Sequence, residues 1–187
     1  TCRAASSRAV RPFSHGMNTG CACGDNGFCM GLFCQSRKQK GRTMEIAIIL
    51  NEFASPQEAA ELGLMAERYG ARGVWSSNYG WSRDPFFSLS LLAHQSSRIR
   101  LGPMAVSPAE LHPLKMANLL FSLNELSRGR AMIMVGGGGA VLQAIGGKRE
   151  RMIRRTRECL EILKGASPDR MMNYNGELYK VWGYQPK

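Results

Sequence analysis

Four consecutive glycines, Gly136–Gly139, close the apolar stretch Ala131–Val135, which itself starts just after Ser127-Arg128-Gly129. A main chain without side chains lets a flat ligand come into contact with the backbone. The run does not suit a phosphate. It lacks the Lys-Ser/Thr of a P-loop and the spaced glycines of a dinucleotide fingerprint. A second polar loop, Ser77-Asn78-Tyr79-Gly80-Trp81-Ser82-Arg83, follows another apolar stretch, Gly73–Ser76. The Asn78 amide can donate or accept, and Tyr79 can stack through its ring or donate through its hydroxyl. Two readings fit this pair: contact with a bound cofactor, or a plain polar loop with a surface aromatic. His94 and His112 read as structural residues, His112 as the entry to a helix. Trp75 and Trp182 read as packing residues.

The elements that must position these loops alternate with a period of about 30 residues, as strand–helix repeats do. Ile46–Leu50 is the first expected strand. Ser55-Pro56 opens a helix, and Glu58 completes a capping box. That helix runs to about Tyr69 and stops before Gly70. Gly73–Ser76 is the second strand, and Asp84-Pro85 opens a second helix with the same device. Ile99–Val106 is the third strand. His112-Pro113 opens a third helix, with Leu114, Ala117, Leu120, Leu123 and Leu126 recurring at helical spacing. Ala131–Val135 is the fourth strand. A short helix over Ala140–Ile145 and a longer one over Arg149–Leu163 follow. Met171–Val181 reads as a hairpin turning at Asn175-Gly176. Strands joined by helices through short loops are parallel, and ligands bind such proteins at the carboxyl ends of the strands. Asn78-Tyr79, Met104-Ala105-Val106 and Gly136-Gly137-Gly138 all end or follow strands. They are therefore expected on one concave edge.

The 187 residues carry a formal charge of +11. Residues 1–43 contribute seven basic residues against one acidic, so the excess is concentrated there. The rest reads as a solvated surface rather than a nucleic-acid groove. No run approaches the ~18 apolar residues of a membrane span. Five of the six cysteines lie in residues 1–43, and only Cys159 lies beyond. A disulfide-built secreted domain would not spare its main body in this way, so the body is expected in the cytoplasm. Cys159 itself reads as a small buried apolar residue.

Residues 1–43 show no sustained period, and three readings compete. Cys21, Cys23, Cys29 and Cys34, with His15, could hold a metal, but their spacing matches paired zinc ligands poorly. The first 24 residues, rich in Arg, Ser and Ala and free of acid, have the composition of a transit peptide. The preferred reading is a disordered or non-native extension, with Met44 as the natural start and residues 44–187 as the folded body. No metal is expected.

Three motifs in the body carry a family resemblance: DPFFSLSLLAHQSSRIRLG, HPLKMANLLFSLNELSRGRA and GGGGAVLQAIGG, followed by YNGELY. In this order and spacing they resemble the luciferase-like family, closest to its F420-dependent branch, which includes the methylenetetrahydromethanopterin reductases. The resemblance implies a (β/α)8 TIM barrel that uses the deazaflavin F420 or FMN. A complete barrel needs ~250 residues. Residues 44–187 supply a little over half, about four βα units plus the hairpin, as the N-terminal half would. The resemblance also implies a bulge in the third strand with a non-proline cis peptide at Met104-Ala105 behind the ring; the competing reading is an ordinary strand bent at Pro103. By the same likeness Asn78, Tyr79, Met104, Ala105, Val106, Gly136, Gly137 and Gly138 would meet the cofactor, with Tyr79 as the catalytic candidate. Two departures stand out. Many F420 enzymes of the family carry Asp-His where this chain has Asn78-Tyr79. Many carry an acid where it has Gly139.

The implied activity is hydride transfer between F420 or FMN and a small organic substrate, with no nucleic acid or membrane as partner. Four units leave two sheet edges and the inner apolar face uncovered, so a second copy or a C-terminal partner is expected to complete the body. The competing function is a non-catalytic half-barrel, a fragment or a subunit that needs a partner to close. A third is a binding protein whose activity lives in the cysteine-rich segment.

Overall fold

The computed structural model describes residues 44–81 and 83–187. Residues 1–43, with the cysteine cluster and the extension expected there, lie outside the described residues. The chain runs β1 (Ala47–Leu50), α1 (Pro56–Arg68), β2 (Gly73–Ser77), α2 (Pro85–Ser88), α3 (Ser90–Gln95), β3 (Arg100–Met104), α4 (Pro113–Leu126), α5 (Ala140–Ala144), α6 (Met152–Gly165), β4 (Met172–Asn175) and β5 (Lys180–Tyr184).

Local chemistry sets the helix starts. The Ser55 hydroxyl accepts from Glu58 N at 3.2 Å, and the Glu58 carboxylate accepts from Ser55 N at 2.8 Å. Asp84 accepts from Phe87 N at 2.7 Å, and His112 Nδ1 accepts from Leu114 N at 3.2 Å. In each case proline sits in the first turn, where no N–H is needed. His112 is thus a helix cap, stacked edge-on against Tyr179 at 5.3 Å between ring centroids. The second expected helix divides at Leu89. The cause is a competing bond: Ser90 Oγ donates to Phe87 O at 2.7 Å.

β1, β2 and β3 pair in parallel in the order of the chain. Residues 131–135 continue this order beside β3, but as two isolated bridges, Leu101 to Ala131 and Val106 to Val135, rather than as the regular fourth strand expected. Between those bridges β3 and its extension contain one residue more than residues 131–135. That extra residue is a bulge. It interrupts a run of bonds that is otherwise present: Met132 N to Leu101 O at 2.9 Å, Met134 N to Pro103 O at 3.1 Å and Val106 N to Met134 O at 2.9 Å. The peptide between Met104 and Ala105 is cis, at the position the resemblance indicated.

Strands added always on the same side by right-handed crossovers place their helices on one face. The burial pattern agrees. Leu50, Val74 and Leu101 are buried under α1 to α4, within the main core. The opposite face carries Ile49, 58% exposed, and Met134, 42% exposed. Sequential order with helices on one side is the geometry of a barrel arc, whereas a doubly wound sheet reverses its order.

α6 closes the arc against α4 through Cys159, Ile162 and Leu163. The β4–β5 hairpin then packs back by Tyr179, whose hydroxyl donates to Pro108 O at 2.6 Å, and by Tyr184, whose hydroxyl donates to Asn118 Oδ1 at 2.8 Å. Cys159 is fully buried, its sulfur 3.7 Å from Met116 Sδ, and burial pushes its thiol up to about 12. The thiolate is the reactive form. Alkylation at pH 8 is therefore expected to spare Cys159 in the folded chain and to modify it in urea. Peptide mapping of the labelled protein checks this.

Candidate functional site

The four segments that leave the carboxyl ends of the strands meet along one edge. The loop after β1 and the loop after β2 are joined by Arg83, whose backbone N–H donates to Glu52 O at 3.4 Å and whose Nε donates to Phe53 O at 3.3 Å. A groove of about 490 Å³, lined by Asn51, Phe53, Ala54, Glu58, Glu61 and Leu62, opens beside them.

The β2 loop is pinned to the bulge by Asn78. Its backbone N–H donates to Met104 O at 3.0 Å, and its side-chain Nδ2 donates to Ala105 O at 3.2 Å. Asn78 therefore brackets the cis peptide, bonding the carbonyl of each residue that forms it. Tyr79 follows, 52% exposed. Gly80 packs on α5, where an added Cβ would stand 3.3 Å from Ala144 Cβ.

The glycine run lies on the other side of the bulge. Gly136 N donates to Val106 O at 3.0 Å. A Cβ on Gly136 would stand 2.9 Å from Ala105 Cβ, so this glycine is required by the bulge itself. Gly138 has φ of +85°, which glycine adopts without strain, and a Cβ there would lie 3.2 Å from Ser107 Oγ. Gly137 and Gly139 differ. A Cβ on Gly137 would have neighbours only at 4.0 Å, Arg149 Nη2 and Met152 Cβ, and one on Gly139 would have none within 4 Å. These two leave open the space that a side chain would fill. Asn78-Tyr79, Met104-Ala105-Val106 and Gly136-Gly137-Gly138 are thus brought together as the topology required. The geometry leaves main chain open at Gly137 and Gly139 beside the bulge to which the Asn78 carboxamide is bonded.

Sequence reasoning missed Glu110. Its carboxylate accepts from Asn78 Nδ2 at 3.2 Å and from Gly139 N at 3.4 Å. It thereby joins the β2 loop to the glycine run. The only local signal is the turn that carries it: Ser107 O accepts from Glu110 N at 3.0 Å, and Ser107 Oγ accepts from Ala109 N at 3.2 Å. Among the described residues no group of three or more His, Cys, Asp or Glu could hold a metal ion, and no helix is long and apolar enough to cross a membrane.

The two kinds of glycine give a direct test. Gly136→Ala is expected to lower stability by about 1–3 kcal/mol, the usual cost of overpacking, because Ala105 and the bulge must move. Gly139→Ala is expected to leave the unfolding midpoint almost unchanged. Urea denaturation of both variants checks the contrast.

Comparison with known proteins places this geometry. The chain is 31% identical over 120 residues to the 5,10-methylenetetrahydromethanopterin reductase of Archaeoglobus fulgidus, a match covering 64% of this chain and 36% of that protein. The structure superposes on the coenzyme F420-dependent tetrahydromethanopterin reductase of Methanopyrus kandleri with a TM-score of 0.65 and 25% identity, covering 76% of this chain and 46% of that one. It also superposes on the oxygenating constituent of 3,6-diketocamphane monooxygenase from Pseudomonas putida, solved with FMN, with a TM-score of 0.64. That likeness, at 18% identity over 78% of this chain and 45% of that one, concerns the fold alone. The chain spans under half the length of each of these proteins. The fold is a partial TIM barrel. The luciferase-like monooxygenase family model matches residues 29–186, and with the barrel arc, the bulge and the glycine loop in place, the chain belongs to the luciferase-like monooxygenase family.

Proposed function

We propose that residues 44–187 form the N-terminal half of an oxidoreductase barrel that binds F420, or in its place FMN, and transfers a hydride between that cofactor and a small organic substrate. Residues 1–43 stand outside this unit in the same reading. The observation that carries it is the convergence of Asn78, the Met104-Ala105 bulge and the open backbone at Gly137 and Gly139 on one edge. When bound, the cofactor supplies the hydride chemistry. The chain's own part is to seat the ring and to manage a proton. Met104, Ala105 and Val106 back the ring, the glycine loop admits it, and Asn78 fixes its margin. Tyr79 carries the hydroxyl that holds a proton for the substrate.

Titration of the purified chain with F420 at 420 nm, and with FMN by its fluorescence, tests the reading. Saturable binding that weakens in Met104→Glu, which puts a charge beside the apolar ring, is the expected result. Absence of binding of either cofactor would refute it.

A second reading rests on the open face of the sheet. Ile49 and Met134 are largely exposed there. Apolar strand faces in a barrel are normally covered on both sides. In this reading the chain is a half-barrel subunit completed by a second copy or by a partner that contributes the remaining βα units. Sedimentation at micromolar concentration is expected to show self-association. A monodisperse monomer that binds neither cofactor nor partner counts against both readings.

A further inference from the structure

Glu110 is half-buried on the turn between the bulge and α4, and it is the one carboxylate described here that reaches the glycine loop and the β2 loop together. Its two oxygens are divided between them: Oε2 accepts from Asn78 Nδ2 at 3.2 Å, and Oε1 accepts from Gly139 N at 3.4 Å. Asn78 Nδ2 also donates to Ala105 O at 3.2 Å, so both of its hydrogens are used. A carbonyl oxygen and a carboxylate can only accept, which fixes the orientation of the amide. The Asn78 oxygen is what remains, and among the described residues no donor reaches it.

We infer that Glu110 is a positioning residue that locks Asn78 as a hydrogen-bond acceptor at the site and ties the glycine loop to the same carboxylate, so that the site recognises an N–H donor on the bound ring. This rests on the reading that the site holds a flavin or deazaflavin ring. Without Glu110 the Asn78 amide loses one of its two anchors, and the two ends of the site lose their common partner. A rotated Asn78 presents a donor where the ring also has one. Two donors face to face leave a buried N–H unpaired, which costs more than the lost bond alone.

The test uses the full chain with Glu110→Gln and Glu110→Ala, and F420 and FMN as probes. In ¹⁵N-resolved spectra the Asn78 side-chain amide and the Gly139 backbone amide, 61 positions apart in the sequence, are expected to shift together in Glu110→Ala. Glutamine keeps one accepting oxygen, so Glu110→Gln is expected to keep one of the two resonances in place. Cofactor binding is expected to weaken about tenfold in Glu110→Ala and about two- to threefold in Glu110→Gln, with thermal midpoints close to that of the parent. Unmoved amide resonances overturn the inference. So does undiminished binding by Glu110→Ala, or an equal loss in both variants that tracks a fall in thermal midpoint. A parent chain that binds neither cofactor overturns the oxidoreductase reading itself, and with it the ring as the ligand of Asn78; that outcome is separable because it appears before any variant is compared.

Discussion

Gly102→Ala is expected to destabilise the arc more than any other single substitution in the sheet. Gly102 stands in the middle of β3, opposite the segment that continues the sheet. A Cβ there would overlap the Met132 carbonyl oxygen, and would stand 2.6 Å from the Met132 carbonyl carbon and 3.2 Å from Met132 Cγ. A flexible side chain could swing aside, but a carbonyl cannot. Met132 is held by its own N–H to Leu101 O at 2.9 Å, and Met134 is held two residues on to Pro103 O at 3.1 Å. Making room therefore means breaking the β3 contact that joins the third and fourth units. The expected cost is on the order of 4 kcal/mol, at the upper end for a single substitution, against a typical total of about 5–15 kcal/mol. Soluble yield and the urea midpoint, measured beside Gly139→Ala as the tolerated control, decide the matter. A Gly102→Ala chain with the parent's midpoint would mean that the fourth segment does not pack as described.

The second large effect is expected at Glu158. This carboxylate is buried in α6 and accepts from three successive backbone N–H groups of the hairpin turn, Glu177, Leu178 and Tyr179, each at 3.0 Å. Arg154 Nε lies 2.9 Å from Glu158 Oε1. The turn fits closely enough that a Cβ on Gly176 would stand 2.8 Å from Glu158 Cδ. Removing the carboxylate strands three N–H groups, while Arg154 Nε keeps Glu177 Oε2 at 3.0 Å, so Glu158→Ala is expected to cost about 3–5 kcal/mol. Glu158→Gln keeps one accepting oxygen and should lose less.

The same carboxylate predicts a pH dependence. Burial pushes the Glu158 carboxyl up, but the three N–H donors and Arg154 outweigh it and hold the group below the usual carboxylate range. A depressed value in the folded state means that the stabilisation is complete above the unfolded carboxyl value of about 4.3 and is lost as pH falls through the folded value. Glu67 acts in the same sense. It accepts from the N–H groups of Ser97, Arg98 and Ile99, and these outweigh its desolvation. Unfolding free energy measured from pH 7 downward should therefore decline below about pH 4.5, and the slope should be shallower in Glu158→Gln. A parent chain whose stability is flat to pH 3 would show that these bonds are not made in solution.

What the sequence determined is what neighbouring residues decide among themselves. Ser55-Pro56 with Glu58, Asp84-Pro85 and His112-Pro113 each fix a helix start within one turn, because a cap needs only its own backbone. The hairpin at Asn175-Gly176 was legible for the same reason, although its second strand continues beyond Val181 to Tyr184. The alternation of apolar stretches with helices gave the parallel sheet, and the family motifs gave the barrel and the position of the bulge. The order of the strands was not legible, since any order obeys the same local pattern. Only packing shows that each strand joins its predecessor and that Ile49 and Met134 share a face without helices. Leu89 illustrates a smaller limit: periodicity runs through it unchanged, and only the bond from Ser90 to Phe87 marks the break. Glu110 and Glu158 define the larger one. As sequence, both are ordinary acids on polar stretches. Their roles come from donors 32 and 29 residues away for Glu110, and 19 to 21 away for Glu158. A carboxylate binds whatever N–H groups the fold brings to it, and the chain brings those donors near only once the sheet has curved and the hairpin has folded back.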